Sequence, residues 1–313
     1  MAIQVEAPPA AEPRRRPEPR QLTRRERRQR RRPLLPALVF AIVLTQLPFV
    51  ATLYYSTQRY NLLRPETRKF VGLSNYGRVF TDDLFRNAVL NTVKLTVTVV
   101  LLCALFGTAL AVLLDKKFLG RSIVRTLLIT PFLVMPAAAA LVWKTSMLNP
   151  VFGIVNWVLS PFGAGQTDWT SRYPMTSIIL VLTWQWTPFF MLIILAGLQS
   201  QSPEVLEAAK TDGATGGQTF RRVTMPHLRQ FIELATVLGT IFILQTFDAI
   251  FMITQGGPGQ ATTNLPYFIY QQAFRAFNAG EAAAAGVITV VATIVFATFA
   301  LRLVSGLFTT EVL

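Results

Sequence analysis

The sequence predicts an all-α membrane protein with six transmembrane helices, and both its composition and its apolar blocks support that prediction. Of 313 residues, 52% are hydrophobic and 15% are charged. The apolar residues are grouped in blocks of roughly 20, the length of helix that crosses a hydrocarbon core of about 30 Å. The alternation typical of membrane β-strands is absent from the sequence, and a lipid-exposed backbone must satisfy its own hydrogen bonds. The predicted spans lie near residues 34–57, 89–114, 123–146, 175–199, 232–254 and 283–308.

Five of the six spans are recognised by an interval that lacks Asp, Glu, Lys and Arg. The fifth span, from Leu234 onward, contains one acid, Asp248. A carboxylate near the bilayer centre costs about 2.5–3.5 kcal/mol on insertion scales, so we expect Asp248 to face protein or water. The other spans, in chain order, follow the charge-free intervals 33–58, 95–114, 126–143, 173–203 and 282–301.

The distribution of positive charge predicts that both termini are cytoplasmic. The first 32 residues hold eleven arginines and four glutamates, and positive segments next to spans remain inside. The loops at 115–122 and 200–231, which this orientation places inside, are also basic. Two of the three external loops hold one arginine each. The third, at 58–88, carries six cations and three acids, and we expect it to be a folded external subdomain.

The sequence predicts two parts of the chain, a basic tail and a transmembrane domain. Residues 1–32 are expected to be disordered, to set the topology and to contact acidic lipid head groups. The tail lacks the interleaved aromatic residues of a nucleic-acid surface, so no nucleic-acid partner is expected. Residues 33–313 are expected to form the transmembrane domain. The single cysteine, Cys103, cannot form an intramolecular disulfide.

The sequence offers little for enzyme chemistry. It has one histidine, His227, and neither a Cys/His cluster with metal spacing nor a G-x-S-x-G elbow. It also lacks the G-x-x-x-x-G-K-[ST] loop that cradles nucleotide phosphates. We therefore expect no enzyme activity, metal or cofactor in this chain. If ATP drives the protein, another subunit binds the ATP.

The polar loop at 200–230 predicts a short helix on the membrane surface. Ser202 is a suitable N-cap and Pro203 fits the first helical position. Gly213 is expected to stop the helix after about ten residues, too few to span a bilayer. The following "GATGG" predicts a flexible break, and Pro226 is expected to end the segment before the fifth span.

This loop resembles the EAA loop of bacterial ABC importer permeases, summarised as E-A-A-x3-G-x9-I-x-L-P. Glu207-Ala208-Ala209, Gly213 and Pro226 match its spacing, with Val223 for Ile and Met225 for Leu. The resemblance implies that the loop is a cytoplasmic coupling helix between the fourth and fifth spans, which docks into a cleft of an ATPase subunit. The residues expected to form this contact are Glu207, Ala208, Ala209, Asp212, Gly213 and Pro226.

The resemblance extends from about residue 34 to the C-terminus. Residues 70–93 and 247–274 look like segments of carbohydrate-type permeases of the maltose-permease-F-like branch, closest to sorbitol and mannitol permeases. It implies half of an import pathway for a neutral sugar or polyol in the bacterial plasma (inner) membrane. The implied partners are a second homologous permease, two ATPase subunits that carry ATP and Mg, and an extracytoplasmic solute-binding protein.

Polar and aromatic residues in the spans are candidates for the substrate path. Sugars are held by amide or carboxylate hydrogen bonds beside aromatic surfaces. Gln245 precedes Asp248 by three residues, which predicts a shared helix face. Alternatively, Asp248 pairs with a neighbouring helix or the partner permease, and the tryptophans pack against lipid or core. The candidates are Asp248, Gln245, Gln185, Trp184 and, more weakly, Asn91.

Other functions remain open from the sequence. A glycerol-3-phosphate or other small-solute ABC permease is the nearest alternative, although the few cations in the spans favour a neutral substrate. An ion-coupled secondary transporter would favour buried carboxylates and internal repeats, and only one strong intramembrane acid is present. A membrane-embedded hydrolase would need a nucleophile and a base, whereas His227 lies in the cytoplasmic loop.

Overall fold

The computed structural model describes residues 35–163 and 165–309, and it confirms the all-α prediction. The basic tail at 1–32, predicted to be disordered, lies outside the described residues. Two compact units divide at Ala51. The first unit contains most of helix α1 (Leu35–Ser56), which is long and apolar enough to cross a membrane.

The second unit, from Thr52 onward, contains the rest of the described helices and a two-stranded antiparallel sheet, β1 (Gln58–Arg59) and β2 (Lys69–Phe70). The helices are α2 (Ser74–Thr81), α3 (Asp83–Asp115), α4 (Arg121–Leu133), α5 (Pro136–Val142), α6 (Ile154–Leu159), α7 (Trp169–Arg172), α8 (Pro174–Gln199), α9 (Pro203–Thr211), α10 (Gly216–Thr219), α11 (Met225–Leu244), α12 (Asp248–Ile253), α13 (Leu265–Tyr270) and α14 (Ala279–Thr309). Short 3₁₀ turns (Pro65–Thr67, Ser160–Phe162) and π turns (Trp143–Met147, Phe220–Thr224, Gln271–Arg275) connect or extend them.

Five of the described helical segments are long and apolar enough to span a membrane, and a bent pair makes the sixth. The five are α1, α3, α8, the continuous segment Gly216–Leu244 and α14. The sixth is α4 with α5 and its π turn, Arg121–Leu133 and Pro136–Met147. The six predicted spans therefore each have a counterpart, but two of them differ in shape from the prediction.

The third span is broken, whereas the sequence predicted a continuous helix over 123–146. Its halves meet at an angle of 100°. Val134 and Met135 are extended, with ψ of 134° and 130°. Pro136 explains this break, because proline disfavours helical geometry in the residue before it and lacks the N–H that would continue the hydrogen bonding.

The fifth span is shifted toward the N-terminus and broken near its other end. Helical backbone runs from Gly216 to Leu244, so the prediction that Pro226 ends the preceding segment is wrong. Pro226 follows the π turn Phe220–Thr224, at one of the first two positions of α11. The helix then stops at Gln245, and α12 starts anew at Asp248. Gln245 and Asp248 therefore do not share a helix face, and that prediction is also wrong.

The centre of the second unit is formed by α3, α8 and α11. Phe190 of α8 is fully buried between Gly107 of α3 and Gly239 of α11. Small residues let membrane helices approach closely, and van der Waals packing then holds them together. Most of the surrounding buried residues come from the same three helices, and Ala140 of α5, Ile250 of α12 and Tyr267 of α13 also belong to the cluster.

The loop at 58–88 is folded, as the sequence predicted. The β1–β2 hairpin and α2 are joined through Asn75, which is fully buried. Its amide nitrogen donates to the carbonyl oxygens of Ser56 at 2.7 Å and Gln58 at 2.8 Å. Gly280 of α14 lies against the same strand, where a Cβ would overlap the carbonyl oxygen of Gln58. The external position of this subdomain stays a prediction.

Candidate functional site

The loop between the fourth and fifth spans contains the expected short helix. Helix α9 has nine residues, and Pro203 is at its start. Ser202 occupies the N-cap with extended backbone, but its side chain does not cap the helix. Its hydroxyl instead donates to the carboxylate of Glu204. The position of the cap is as predicted, and the hydrogen bond that it makes is different.

Gly213 ends α9 in the left-handed conformation, with φ of +79°. Its amide donates to the carbonyl oxygen of Lys210 at 3.0 Å, and the Ala214 amide donates to that of Ala209 at 3.0 Å. Helices commonly end in this way, because glycine adopts positive φ without a Cβ clash. The role of Gly213 as the helix stop is confirmed.

The break after Gly213 has defined geometry and is not the flexible run that the sequence suggested. Thr215 and Gln218 form a capping box at the start of α10. The Thr215 amide donates to Gln218 Oε1 at 2.8 Å, and the Gln218 amide donates to Thr215 Oγ1 at 3.4 Å. Helix α10 continues through the π turn into α11. The surface helix is thus followed by capped, hydrogen-bonded backbone that leads directly into the fifth span.

One face of α9 is open to solvent and the other lies over a cavity. Val205, Ala208 and the C-cap residue Asp212 are spaced as neighbours on one helix face, and all three are exposed. Leu206 and Lys210 line a cavity of about 460 Å³ between α9 and the ends of α3 and α8. The exposed face, Val205, Ala208 and Asp212, is named the docking face below.

The other expected contact residues differ in exposure. Glu207, Gly213 and Pro226 are exposed, whereas Ala209 is half-buried. Ala209 therefore belongs to the inner side of the helix, and Ala208 is the small residue that a partner would meet. This distinction depends on helix rotation, which the motif spacing does not reveal.

The base of the fifth span is attached to the end of the fourth. His227 Nε2 lies 3.1 Å from the carbonyl oxygen of Gly197 and 3.2 Å from Ser200 Oγ. A Cβ at Gly197 would be 2.5 Å from Cδ2 of Phe231, so the two helices are in close contact. The start of the fifth span and the end of the fourth are therefore joined directly beside the loop.

The breaks of the third and fifth spans lie in neighbouring elements. Helix α12 packs against α5 and α8. The Gln185 amide nitrogen donates to the carbonyl oxygen of Val134 at 3.2 Å, and Lys144 Nζ donates to that of Met252 at 3.1 Å. Interrupted helices at membrane depth are tolerated where they are buried in protein or line a cavity. The first bond supplies a partner for a backbone oxygen at the break of the third span, and the second supplies one for an oxygen near the C-terminal end of α12.

The five substrate-path candidates fall into two groups. Asp248, Gln245 and Trp184 are exposed in this chain. Gln185 is buried, and its amide is used by Val134. Asn91 is buried too, and its amide nitrogen donates to the carbonyl oxygens of Gln260 and Thr263, both at 3.0 Å.

Aromatic rings line the region around the two breaks. Trp186 stacks on Phe242 with ring centroids 5.3 Å apart and meets Phe132 edge-on at 5.7 Å. Trp184 meets Trp143 edge-on at 5.5 Å. Both tryptophans of the fourth span thus contact residues on or next to the broken spans.

Asn264 was missed by the sequence reasoning although it supports the second break. Its amide nitrogen donates to the carbonyl oxygen of Thr246, at 2.6 Å. Its Oδ1 accepts from the Tyr267 amide at 3.1 Å and so caps α13. An Asn followed closely by Pro266 is a helix-start signal, so the cap could have been predicted. The bond to Thr246 could not.

Comparison with known proteins identifies the family. Residues 104–308 match the model of the binding-protein-dependent transport system inner membrane component. The chain belongs to this family. It is 37% identical to a probable ABC transporter permease of Sinorhizobium fredii, over 82% of this chain and 84% of that one. It is 34% identical to the trehalose/maltose permease MalF of Thermococcus litoralis, over 79% and 83% of the two chains.

Solved structures show the same fold. The structure of a bacterial ABC transporter that imports alginate matches with a TM-score of 0.73 at 23% identity, over 87% of this chain and 93% of that one. The inward-facing methionine transporter MetNI matches with a TM-score of 0.52 at 19% identity, over 71% and 95%. The family match and the relatives above make this chain an ABC transporter permease, a multi-pass component of the inner membrane.

Proposed function

We propose that this permease forms half of the pathway of an ATP-driven importer for a neutral sugar or polyol. An external binding protein delivers the solute, a second homologous permease completes the pathway, and two ATPase subunits bind ATP and Mg. Both termini are cytoplasmic in this proposal. The named relatives that support a sugar include the Thermococcus trehalose/maltose permease and the trehalose permease SugA of Mycobacterium tuberculosis, which is 28% identical over 81% of both chains.

The observation that carries the proposal is the geometry of the loop at 200–230, which is called the coupling loop from here on. The docking face offers a small residue, Ala208, between Val205 and Asp212, so another protein can approach the backbone closely. Behind it, the Gly213 stop, the Thr215 capping box and the π turn join α9 to the fifth span without an unstructured segment. An ATPase that moves α9 would move α11, and such a permease needs two conformations biased by its partners rather than catalytic groups.

The substrate path in this proposal runs beside the two broken spans. Asp248, Gln245 and Trp184 line it, because they are exposed in the isolated chain although they belong to membrane segments or their ends. Gln185 supports the path because its amide donates to the Val134 carbonyl oxygen. Asn91 supports it because its amide donates to the Thr263 carbonyl oxygen, in the loop between α12 and α13. Interrupted helices near the bilayer centre are common at transporter substrate sites.

A phosphorylated solute is the second candidate. The glycerol-3-phosphate permease UgpA of Agrobacterium fabrum is 32% identical over 86% of this chain and 92% of that one. A phosphate would require cations in the path. Lys144, in the π turn after α5, already donates one of its three hydrogens to the Met252 carbonyl oxygen, and the scarcity of cations in the spans favours the neutral solute.

The coupling proposal is tested by enlarging the docking face. Ala208→Trp adds a large side chain at an exposed position, so the chain should fold and insert while the ATPase contact is blocked. We expect uptake to be lost together with the ATP hydrolysis that the loaded binding protein stimulates. Lys117→Trp, on an exposed loop of the same predicted side, is the matched control and should retain both. Normal uptake by Ala208→Trp at normal membrane abundance would remove α9 as the ATPase contact.

Solute identity is tested by competition in cells that express the whole operon. Sorbitol, mannitol, trehalose, maltose and glycerol 3-phosphate are added separately against a labelled solute. Inhibition by glycerol 3-phosphate alone would overturn the neutral-solute proposal. In the same cells, ATP depletion should stop uptake and collapse of the proton gradient should not, since a secondary transporter would give the reverse.

The path is tested with Asp248→Asn, which keeps the side-chain size and removes the charge. Uptake should fall while ATPase stimulation by the loaded binding protein persists in part. Uptake equal to that of the unmodified chain would remove Asp248 from the path.

A further inference from the structure

A basic pocket of about 640 Å³ lies between the β1–β2 hairpin, α2 and the start of α14. Four cationic side chains line it, from Arg59, Arg64, Lys69 and Arg78, against one carboxylate, Glu281. We call it the outer basic pocket, since it is on the predicted external side. Neither the coupling loop nor the broken spans contribute to it.

An ion pair and several hydrogen bonds fix the walls of the outer basic pocket. Arg78 Nε lies 3.0 Å from Glu281 Oε1, and its guanidinium also donates to Asn75 Oδ1. Asn75 in turn holds the backbone at Ser56 and Gln58. The pocket is therefore a formed cavity, in which the one carboxylate is already paired with one of the four cations.

The remaining positive charge is unbalanced. Within residues 35–163 and 165–309, Arg59, Arg64 and Lys69 make no ion pair with a carboxylate. Like charges held around one cavity repel one another, and an anion between them relieves that repulsion. Arginine and lysine are the side chains that bind phosphate, arginine often through two parallel hydrogen bonds. The chemistry of the pocket therefore fits a phosphate.

The position of the pocket along the chain places it at the level of lipid head groups. Strand β1 starts two residues after α1 ends at Ser56, and Glu281 is in the first turn of α14. Both helices are long enough to span the membrane, so their ends lie where the hydrocarbon stops. Beside them the Arg68 guanidinium lies 5.0 Å from the ring centroid of Tyr60 and 5.4 Å from that of Tyr54. Tyrosines are enriched at this depth.

Large apolar side chains flank the cations. Leu63, next to Arg64, is 67% exposed, and Phe70, next to Lys69, is 73% exposed. A surface that combines exposed apolar side chains with cations is typical of segments lying in the interface of a membrane with anionic lipids. A surface that faces only water would not explain why exposed apolar side chains lie beside the cations.

We propose that the outer basic pocket binds the phosphate of an anionic phospholipid from the adjacent leaflet, with Leu63 and Phe70 against its acyl chains. The lipid would hold the hairpin and α14 together at the membrane surface. This site is separate from the N-terminal basic tail and from the proposed solute path.

The test uses the full-length chain, purified with its co-expressed partners, stripped of lipid in detergent and titrated by native mass spectrometry. Phosphatidylglycerol and phosphatidylcholine with the same acyl chains are the probes. Each cation near a membrane surface contributes about five-fold to the affinity for anionic lipid. The double variant Arg59→Gln with Arg64→Gln should therefore bind phosphatidylglycerol about thirty-fold more weakly, with phosphatidylcholine binding unchanged.

Two further variants make the result specific. Arg86→Gln is the matched control, because Arg86 belongs to the same loop and pairs with Asp83 outside the pocket. It should bind phosphatidylglycerol as the unmodified chain does. Lys69→Gln is a milder pocket variant, for use if the double variant does not fold, and should lose about five-fold.

Three results would overturn the proposal. The first is that the pocket variants and Arg86→Gln bind phosphatidylglycerol equally well. The second is that soluble glycerophosphoglycerol binds as tightly as the lipid, which would make this a small-anion site. The third is that the pocket variants weaken binding of the external binding protein in nanodiscs of phosphatidylcholine alone, which would make the pocket a protein contact.

Discussion

Phe190 separates two glycines, and we predict that substitutions of these glycines respond differently to a shorter side chain at 190. A Cβ at Gly239 would lie 2.6 Å from Phe190 Cε2 and nearer still to Cζ, at the tip of the ring. A Cβ at Gly107 would lie 2.7 Å from Phe190 Cβ and 3.0 Å from the Met191 amide nitrogen. The first clash is with the end of a side chain, and the second is with atoms that every non-glycine residue at 190 keeps.

Both Gly239→Ala and Gly107→Ala overfill a packed core, at a cost of about 1–3 kcal/mol each. Phe190→Leu removes the ring tip and costs stability by itself because it leaves a cavity. Combined with Gly239→Ala, it should cost less than the sum of the two single changes, by about 1–2 kcal/mol. Combined with Gly107→Ala, it should show no such gain, because leucine retains the Cβ.

The assay is thermal unfolding of the purified protein in one detergent, for all single and double variants. A loss of 1 kcal/mol lowers the midpoint by about 2–4 °C in domains of 150–250 residues and by less in longer chains. The midpoints of the variants are therefore compared with one another and are not converted into free energies. Gly286→Ala is the control, since a Cβ there meets nothing within 4 Å; it should not lower the midpoint, because alanine favours a helix more than glycine does. Equal rescue of both glycine variants by Phe190→Leu would refute this account of the packing.

Two further predictions concern a membrane hydrogen bond and an external cap. Gln185→Leu should lower the unfolding midpoint by the equivalent of about 1–2 kcal/mol, because the Val134 carbonyl oxygen loses its hydrogen-bond donor within the membrane. Gln260→Leu changes an exposed residue and is the control, so it should leave the midpoint unchanged. Equal midpoints for the Gln185→Leu and Gln260→Leu variants would contradict the role of Gln185. Hydrogen bonds from the hydroxyls of Ser171 and Thr170 lower the pKa of Asp168, which caps α7. A depressed carboxyl pKa stabilises the cap above the ordinary Asp range, and this stability is lost as pH falls through the lowered value. Protection of the Thr170 and Ser171 amides from hydrogen exchange, corrected for intrinsic exchange, should therefore persist at neutral pH and fall only in acid. The Asp168→Ala variant should lack this protection at every pH. Loss of protection near neutral pH in the unmodified chain would contradict the cap.

The third and fifth spans show where sequence reasoning succeeded and where it failed. Apolar composition located both, because a helix that crosses lipid needs only length and an absence of charge. The break in the third span had a local cause, Pro136, that a count of charge-free residues does not register. The break at Gln245 has no proline or glycine within it. It is supported by Asn264, whose side chain bonds the Thr246 carbonyl oxygen from a different segment.

The coupling loop was predicted more completely than the substrate path. Its helix start, its Gly213 stop and its motif are local features, and spacing along the chain is sufficient to find them. Polar residues in the spans were chosen by residue type, which does not distinguish a side chain that faces a path from one that holds the backbone. Gln185 and Asn91 proved to have partners within the chain, whereas Asp248 and Gln245 are exposed.

The sequence by itself determined the all-α membrane class, six apolar spans and a surface helix with the motif of ABC importer permeases, because composition, charge and capping act over a few residues. Only the tertiary structure decided that Ala208 rather than Ala209 is open to a partner, that two spans are broken, and that cations of one loop surround a pocket with α14. These outcomes depend on side chains that meet across long separations, such as Gln185 with Val134, 51 residues apart. No local pattern encodes which backbone oxygen such a side chain will find.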